Sequence, residues 1–138
     1  RELGATADGR RAGEPFGTNF SPSLFARING PLSVISSFTK PDFREAINGG
    51  PLTMEFSASM FQGPDSVHKI AMLVKTFIDM GGHQMQLNAV NTELLKDAQK
   101  HPEAHTQLVV RVWGWSAYFV ELDKEYQDHV LRRQQYSV

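Results

Sequence analysis

The chain has 138 residues, of which 41% are hydrophobic, a size and composition that suit one domain with one core. Its 14 basic and 15 acidic residues form no block of either sign, which argues against a nucleic-acid or anionic-membrane partner. There is no cysteine, which excludes disulfides, cysteine-bound metals and a thiol nucleophile within these residues. No apolar run approaches the roughly 20 residues that cross a bilayer, and no signal-peptide pattern is present, so we expect a cytoplasmic protein.

The first third of the chain predicts irregular backbone followed by two short elements. Residues 1–31 hold five glycines and three prolines, a density typical of turns. Residues 32–38 alternate loosely and are rich in β-branched and apolar side chains, which predicts a strand. Pro41 then favours a short helix over residues 42–48, which the glycine pair at 49–50 would end.

The middle of the chain predicts a strand, a helix and a second strand. Residues 52–58 alternate, with Leu52, Met54 and Phe56 on one face. Residues 65–80 have the apolar spacing of one helix face, and two glycines follow them. Residues 83–90 alternate again and predict the second strand. The predicted apolar helix face consists of Val67, Ile70, Ala71, Val74, Phe77 and Ile78.

The last third adds two helices around a glycine turn. We expect a helix over residues 92–100, a strand over 108–112 and a turn at Gly114. A short extended piece would run through Val120, before a helix that Asp123 caps. Strands that alternate with helices indicate an α/β arrangement.

Metal and nucleotide sites are poorly supported by the pattern. His101 and His105 are four residues apart, but Pro102 disfavours a regular helix through both and no third ligand is near. Surface histidines near a helix end are much commoner, so we expect no metal. The glycines of residues 9–17 lack the spacing and the closing Lys-Ser/Thr of a phosphate loop.

A row of amide side chains occupies one face of the second predicted strand. It consists of Gln84, Gln86 and Asn88, all uncharged hydrogen-bonding groups. The pattern alone favours an exposed strand face. If the strand belongs to a barrel, the amides would face the lumen, where they would contact substrate or brace a neighbouring loop.

Gly114 lies between two tryptophans directly after an apolar strand. Taken alone, this pattern favours a tight turn or β-bulge in which the glycine adopts positive φ and the aromatic side chains pack in the core. Neither periodicity nor composition distinguishes such a structural glycine from one with a chemical role. The residues in question are Arg111, Val112, Trp113, Gly114, Trp115, Ser116, Tyr118 and Phe119.

Several ordered motifs nevertheless resemble the glycyl radical enzymes, the family of pyruvate formate-lyase. Residues 8–15 read Asp-Gly-Arg-Arg-Ala-Gly-Glu-Pro, similar to the family's Asp-Gly-Arg-x-Ala-Gly-Glu-Pro loop, and residues 29–34 are similar to the loop and strand after it. Residues 81–88 resemble its Gly-Gly-x-x-x-Gln-x-Asn strand, and residues 97–103 follow as in the family. Residues 111–119 resemble its radical loop.

The resemblance implies a fold and a chemistry. The fold is the C-terminal part of a ten-stranded α/β barrel with the radical loop: residues 1–90 would form the last barrel strands and helices, and residues 91–138 the radical loop and C-terminal helix. Gly114 would carry a radical, made when an activating enzyme with an iron–sulfur cluster and S-adenosylmethionine removes one α-hydrogen. The chain would bind no cofactor itself. Bulky neighbours, among them Trp113, Trp115 and Phe119, would keep oxygen and water away.

In this family the radical passes to a cysteine that abstracts hydrogen from a small-molecule substrate. This chain has no cysteine and begins without Met, so the resemblance implies a segment of a longer enzyme that stores the radical. A stand-alone spare-part module, which restores the radical of an oxygen-cleaved enzyme, is the alternative. Because the resemblance places this strand in a barrel, it favours an amide row that faces the lumen.

The Trp-Gly-Trp sequence at residues 113–115 departs from most members of the family. It most resembles the fumarate-adding branch, the benzylsuccinate and alkylsuccinate synthases. Dehydratase, C–N lyase, decarboxylase and formate acetyltransferase chemistries remain alternatives, because most substrate contacts would lie outside this chain.

Overall fold

The computed structural model describes residues 3–17, 19–23, 26–112, 114–133 and 135–136. None of the helices in these ranges is long and apolar enough to cross a bilayer. The chain is a mixture of helices and strands, as predicted. The elements are α1 (Pro31–Phe38), β1 (Pro51–Ser57), α2 (Ser66–Asp79), β2 (Gln84–Val90), α3 (Thr92–Lys100), β3 (Val109–Arg111), β4 (Ser116–Tyr118), α4 (Lys124–Arg132) and β5 (Gln135–Tyr136).

A parallel sheet with the order β2-β1-β5 organises the larger part of the molecule. β1 and β2 pair along their whole length, from Pro51 opposite Gln84 to Ser57 opposite Val90. The sequence pattern predicted both strands and the connecting helix α2. It did not predict β5, which pairs residues 135–136 with residues 55–56 of β1 and so returns the end of the chain to the sheet.

Two hydrophobic clusters lie beside these elements. The first, which we call the sheet cluster, joins α1, β1, α2 and Tyr136 and includes the stacked rings of Phe38 and Phe43, whose centroids are 4.5 Å apart. The second, the loop cluster, joins α3, α4 and the 3-10 turn Phe119–Glu121 that follows β4. It contains Leu95, Ala98, Phe119 and Val130.

The predicted strand over residues 32–38 is wrong, because these residues form the helix α1. Pro31 occupies the first helical turn, where its missing N–H removes no bond, and Gly30 enters it with φ +86°. The buried residues Pro31, Val34, Ile35 and Phe38 have the i, i+3, i+4, i+7 spacing of a helix face. Val34 and Ile35 favour a strand by their β-branching, but the helical spacing of the buried residues decides the structure.

Two other helix predictions need correction. The element expected over residues 42–48 is a single 3-10 turn, Phe43–Glu45, in which the Asp42 carboxylate accepts from the Arg44 backbone N–H. The Asp42 side chain thus supplies a hydrogen-bond acceptor for the turn, which competes with continuation of a helix. Asp123 precedes α4 as predicted, but its side chain makes no capping hydrogen bond.

The predicted apolar face of α2 is only partly buried. Leu73 and Phe77 are buried, and Phe77 stacks on Phe38 of α1 with centroids 5.6 Å apart. Val67 and Ile78, however, are 77% and 64% exposed. Helix α2 therefore packs along one narrow stripe within this chain, and the edges of the predicted face remain uncovered by the described residues.

Candidate functional site

A short antiparallel hairpin of β3 and β4 carries the glycine turn. Val109 pairs with Tyr118, and Arg111 pairs with Ser116 as the last pair before the tip. The backbone N–H of Val112 donates to the carbonyl of Trp115 at 2.8 Å, which closes the turn. Gly114 lies at this tip, as the sequence predicted.

The backbone of Gly114 has φ +82°, a left-handed conformation that glycine adopts without strain. Apart from its two chain neighbours, no atom of the described residues would lie within 4 Å of a Cβ atom built on Gly114, and the residue is exposed. Gly50 and Gly82 differ, because a Cβ there would lie 2.4 Å from the rings of Phe43 and Phe77. Those two glycines are required by packing, whereas Gly114 is required by its backbone conformation.

The residues predicted to surround Gly114 divide into buried and exposed groups. Val112 is 2% exposed and Phe119 is fully buried. Trp115 and Tyr118 are 47% and 40% exposed. Arg111 and Ser116 are exposed and contact each other through Nη1 and Oγ at 3.3 Å. Trp113 lies outside the described residues.

The base of the hairpin is fixed to α4. The Phe119 backbone N–H donates to the Leu108 carbonyl at 2.7 Å. Gln127 of α4 donates from Nε2 to the carbonyls of Phe119 and Leu122, at 3.0 and 3.1 Å. Phe119 is also buried in the loop cluster beside Val130 of α4, so both packing and hydrogen bonds hold the end of the hairpin against this helix.

The amide row meets a buried charge on the neighbouring strand. Gln84 is exposed, while Gln86 and Asn88 are half-buried. Gln86 Nε2 donates to Asn88 Oδ1 at 2.9 Å, and Asn88 Nδ2 donates to Glu55 Oε1 at 3.0 Å. Two of the three amides are thus bound to each other and to β1.

Arg133, directly after α4, is a site residue that the sequence pattern did not indicate. Its Nη1 donates to Glu55 Oε1 at 2.8 Å and to the Arg111 carbonyl at 2.9 Å. Its Nη2 donates to the Val112 carbonyl at 2.6 Å. The one available signal was Glu55, a carboxylate between apolar residues in the middle of β1, which implied a buried cationic partner.

A cavity of about 460 Å³ separates the parallel sheet from the hairpin. Glu55, Asn88, Arg111, Ser116 and Arg133 contribute its polar lining. Apolar residues of β2, α3 and β3 complete the wall. Arg111 and Ser116 of the predicted loop and Asn88 of the amide row therefore line the same space.

The histidines form no metal site in the part of the chain that the structure describes, where no group of three candidate ligands occurs. His105 Nε2 contacts the Asp97 carboxylate at 2.7 Å, and this hydrogen bond lowers the pKa of Asp97 below its usual 3.8. Burial lowers the pKa of His129, and the positive charges of Arg133 and Arg132 lower it further.

Comparison with known proteins identifies relatives along nearly the whole chain. A family model described as glycine radical matches residues 16–120. Trans-4-hydroxy-L-proline dehydratase of Clostridioides difficile is 34% identical over 95% of this chain and 16% of its own length. Indoleacetate decarboxylase of Tractidigestivibacter scatoligenes is 36% identical over 99% of this chain and 16% of its own. The chain thus spans about a sixth of the length of these relatives.

Solved structures give the same result. Glycerol-bound B12-independent glycerol dehydratase from Clostridium butyricum matches 98% of this chain and 17% of its own, with a TM-score of 0.89 and 34% identity. A glycyl radical enzyme from Archaeoglobus fulgidus matches 94% of this chain and 17% of its own, with a TM-score of 0.82 and 37% identity. The predicted fold class, part of the barrel-type glycyl radical enzyme fold, is confirmed. The chain belongs to the glycine radical family.

Proposed function

We propose that this chain is the radical-storing segment of an anaerobic glycyl radical enzyme, with the radical on the α-carbon of Gly114. The observation that carries the proposal is an exposed, positive-φ glycine at the tip of a hairpin, inside the residues that the family model matches. Four other described glycines, Gly9, Gly13, Gly30 and Gly81, are also open and left-handed. The Arg-Val-x-Gly sequence that ends at Gly114 distinguishes it from them.

The chemistry of the residue supports this role. An unpaired electron on a glycine α-carbon delocalises over the adjacent amide nitrogen and carbonyl, which requires a planar centre. A β-carbon would oppose planarity sterically, and glycine has none. Apart from the two chain neighbours of Gly114, no atom of the described residues lies within 4 Å of the position that a Cβ would take, which supports access of an outside reactant to that side of the α-carbon.

Two partners complete the proposal. A radical S-adenosylmethionine activating enzyme would remove one hydrogen atom from Gly114, leaving the unpaired electron. A cysteine outside this chain would then give its thiol hydrogen to Gly114 and become the thiyl radical that attacks a small-molecule substrate. An oxygen-sensitive radical of this kind suits the cytoplasm of an anaerobic cell.

The environment of Gly114 supports storage only in part within this chain. Val112 and Phe119 are buried beside the turn, whereas Trp115 and Tyr118 are open. We propose that Trp113 and residues of the remaining enzyme complete the cover. We also propose that the amide row faces the barrel lumen. In this proposal residues 1–90 form the last barrel strands and helices, and residues 91–138 form the radical loop and C-terminal helix.

Electron paramagnetic resonance of the full-length protein after anaerobic activation tests the assignment. The wild type should give a doublet, because one α-hydrogen remains on the radical carbon, and Gly114→Ala should abolish it. Gly81→Ala is the matched control, since Gly81 has φ +77° and an equally open Cβ direction. An unchanged doublet in Gly114→Ala, or none in the wild type, would contradict the proposal.

Exposure to air provides a second readout of the same assignment. Oxygen should cleave the activated chain at Gly114, which mass spectrometry detects as a shortened C-terminal boundary. Protein that was never activated is the control and should stay intact. Recovery of only the full-length C-terminus after activation and air would count against a radical at this residue.

The reaction of the whole enzyme is a further proposal with two candidates. The named relatives favour elimination or decarboxylation, the reactions of a dehydratase and a decarboxylase. Trp113 and Trp115 favour addition of a hydrocarbon to fumarate. To decide between them, activated enzyme is incubated with fumarate and either toluene or an alkane. Formation of a substituted succinate supports addition. If no succinate forms and the enzyme instead converts a hydroxylated or carboxylated substrate, addition to fumarate is rejected.

A further inference from the structure

Glu55 is a buried charge in the middle of β1. Its neighbours Met54 and Phe56 are fully buried, and Glu55 itself is 5% exposed. A carboxylate in such a place is costly unless a cation and further donors compensate it. Arg133 and the Asn88 amide both donate to Oε1, at 2.8 and 3.0 Å.

Arg133 is nearly as enclosed, with 10% of its side chain exposed against 6% for Glu55. Besides Glu55, its two terminal nitrogens bind the carbonyls of Arg111 and Val112, the last residues described before Gly114. A guanidinium holds several acceptors in one rigid plane, which an ammonium group does not. One side chain therefore ties the entry of the glycine turn to the central strand of the parallel sheet.

The arrangement specifies a position more than it adds stability. Buried ion pairs are commonly no more stabilising than apolar residues of the same volume. The hairpin itself has only three residue pairs, and a cavity of about 460 Å³ separates it from the sheet. A rigid polar link across that space fixes the distance between the turn and β1.

We propose that Arg133 and Glu55 are positioning residues that hold the Gly114 turn in register for radical transfer to the thiol outside this chain. This inference rests on the proposed function. Transfer moves one hydrogen atom: the thiol S–H bond breaks, an α-carbon–hydrogen bond forms on Gly114, and the unpaired electron passes to sulfur. Such a step depends steeply on the separation of the two atoms, so a displaced turn slows it.

Hydrogen exchange into the radical measures this transfer without any substrate. In D₂O the thiol carries deuterium, which enters the Gly114 α-carbon each time the radical passes to sulfur and returns. The electron paramagnetic resonance doublet then collapses, because deuterium replaces the splitting hydrogen. The rate of collapse reports the transfer step separately from formation of the radical.

Arg133→Met should leave the doublet obtainable and slow its collapse by about tenfold or more. Arg133→Lys should fall between, since it keeps the charge beside Glu55 but lacks the fork that reaches two carbonyls. Arg132→Met, at the exposed neighbouring arginine, is the matched control and should collapse at the wild-type rate. Collapse of Arg133→Met at the wild-type rate would overturn the inference.

Amide hydrogen exchange of the unactivated full-length protein gives a readout that needs no radical. Arg133→Met should raise exchange about tenfold or more across residues 109–118 and less in helix α2, whose exchange reports the general cost of leaving Glu55 without its cation. Unchanged exchange at residues 109–118 in Arg133→Met and Arg133→Lys would also reject the inference. If the wild type forms no radical, the proposed function fails, and this exchange result still decides whether Arg133 holds the turn.

Discussion

The sheet cluster and the loop cluster are built on different scales. The sheet cluster contains ten buried residues from helices and strands that are far apart in sequence. The loop cluster contains four, drawn from residues 95–130. Because burial of apolar area is the main favourable contribution to folding, the loop side should open at a lower free energy than the sheet side.

The smaller cluster is supplemented by directional polar contacts. Gln127 binds two carbonyls after β4, and Arg133 binds two carbonyls before the glycine turn. Hydrogen bonds fix direction and distance, whereas apolar packing is tolerant of both. The sheet side therefore provides most of the stability, whereas a few hydrogen bonds hold the backbone on either side of the glycine turn.

Truncation of Phe119 should separate the two regions most clearly. Phe119 is fully buried in the loop cluster, so Phe119→Ala should cost about 3–5 kcal/mol. We expect faster amide exchange over residues 92–100 and 109–118 and little change in α2. Phe56→Ala, at a fully buried ring of the sheet cluster, is the control and should raise exchange in both regions.

Phe119→Ala and Phe56→Ala together test whether the two clusters unfold separately. If Phe119→Ala also exposed the amides of α2, the clusters would unfold as one unit. The hairpin would then have the full stability of the sheet, and Arg133 would have little left to position.

Local pattern predicted the fold where periodicity was unambiguous. Alternation over residues 52–58 and 83–90 and helical spacing over residues 65–80 identified the β1-α2-β2 unit. The pattern failed at α1, because its β-branched residues favour a strand while the spacing of its apolar residues fits a helix. Pro31 at the first helical turn favours the helix. β5 could not be predicted, because a two-residue strand exists only through its pairing with β1.

At the candidate site, too, the local sequence pattern predicted some features and not others. A glycine after an apolar strand predicts the turn at Gly114, whereas the radical role that we propose for it is indicated by the family motifs and not by the local pattern. Arg133 carries no local pattern, since its acceptors lie 21, 22 and 78 residues away in sequence. Long-range contacts of one polar side chain depend on the whole fold and leave no periodic signal.

Gly114→Ala should have a moderate and local effect. Alanine at φ +82° is strained by roughly 1–2 kcal/mol, but beyond the two chain neighbours none of the described residues obstructs its methyl group. Amide exchange should rise at residues 109–118 and nowhere in the sheet cluster. Gly82→Ala is the informative contrast, because its methyl group would lie 2.4 Å from Phe77 and should destabilise the sheet side. Equal effects of the two variants on α2 would show that the turn is coupled to the sheet cluster.

The smallest expected effect is a pH dependence confined to the loop side. Burial first, and then the charges of Arg133 and Arg132, lower the pKa of His129 below its usual 6.5. As pH falls through 6.5 the unfolded chain binds a proton before the folded chain does, so α4 loses stability until the lower folded pKa is passed. Amide exchange of residues 124–132, corrected for the intrinsic effect of pH, should therefore rise below pH 6.5. His129→Gln should remove this dependence. A slope that persists in that variant would assign the titration to another group.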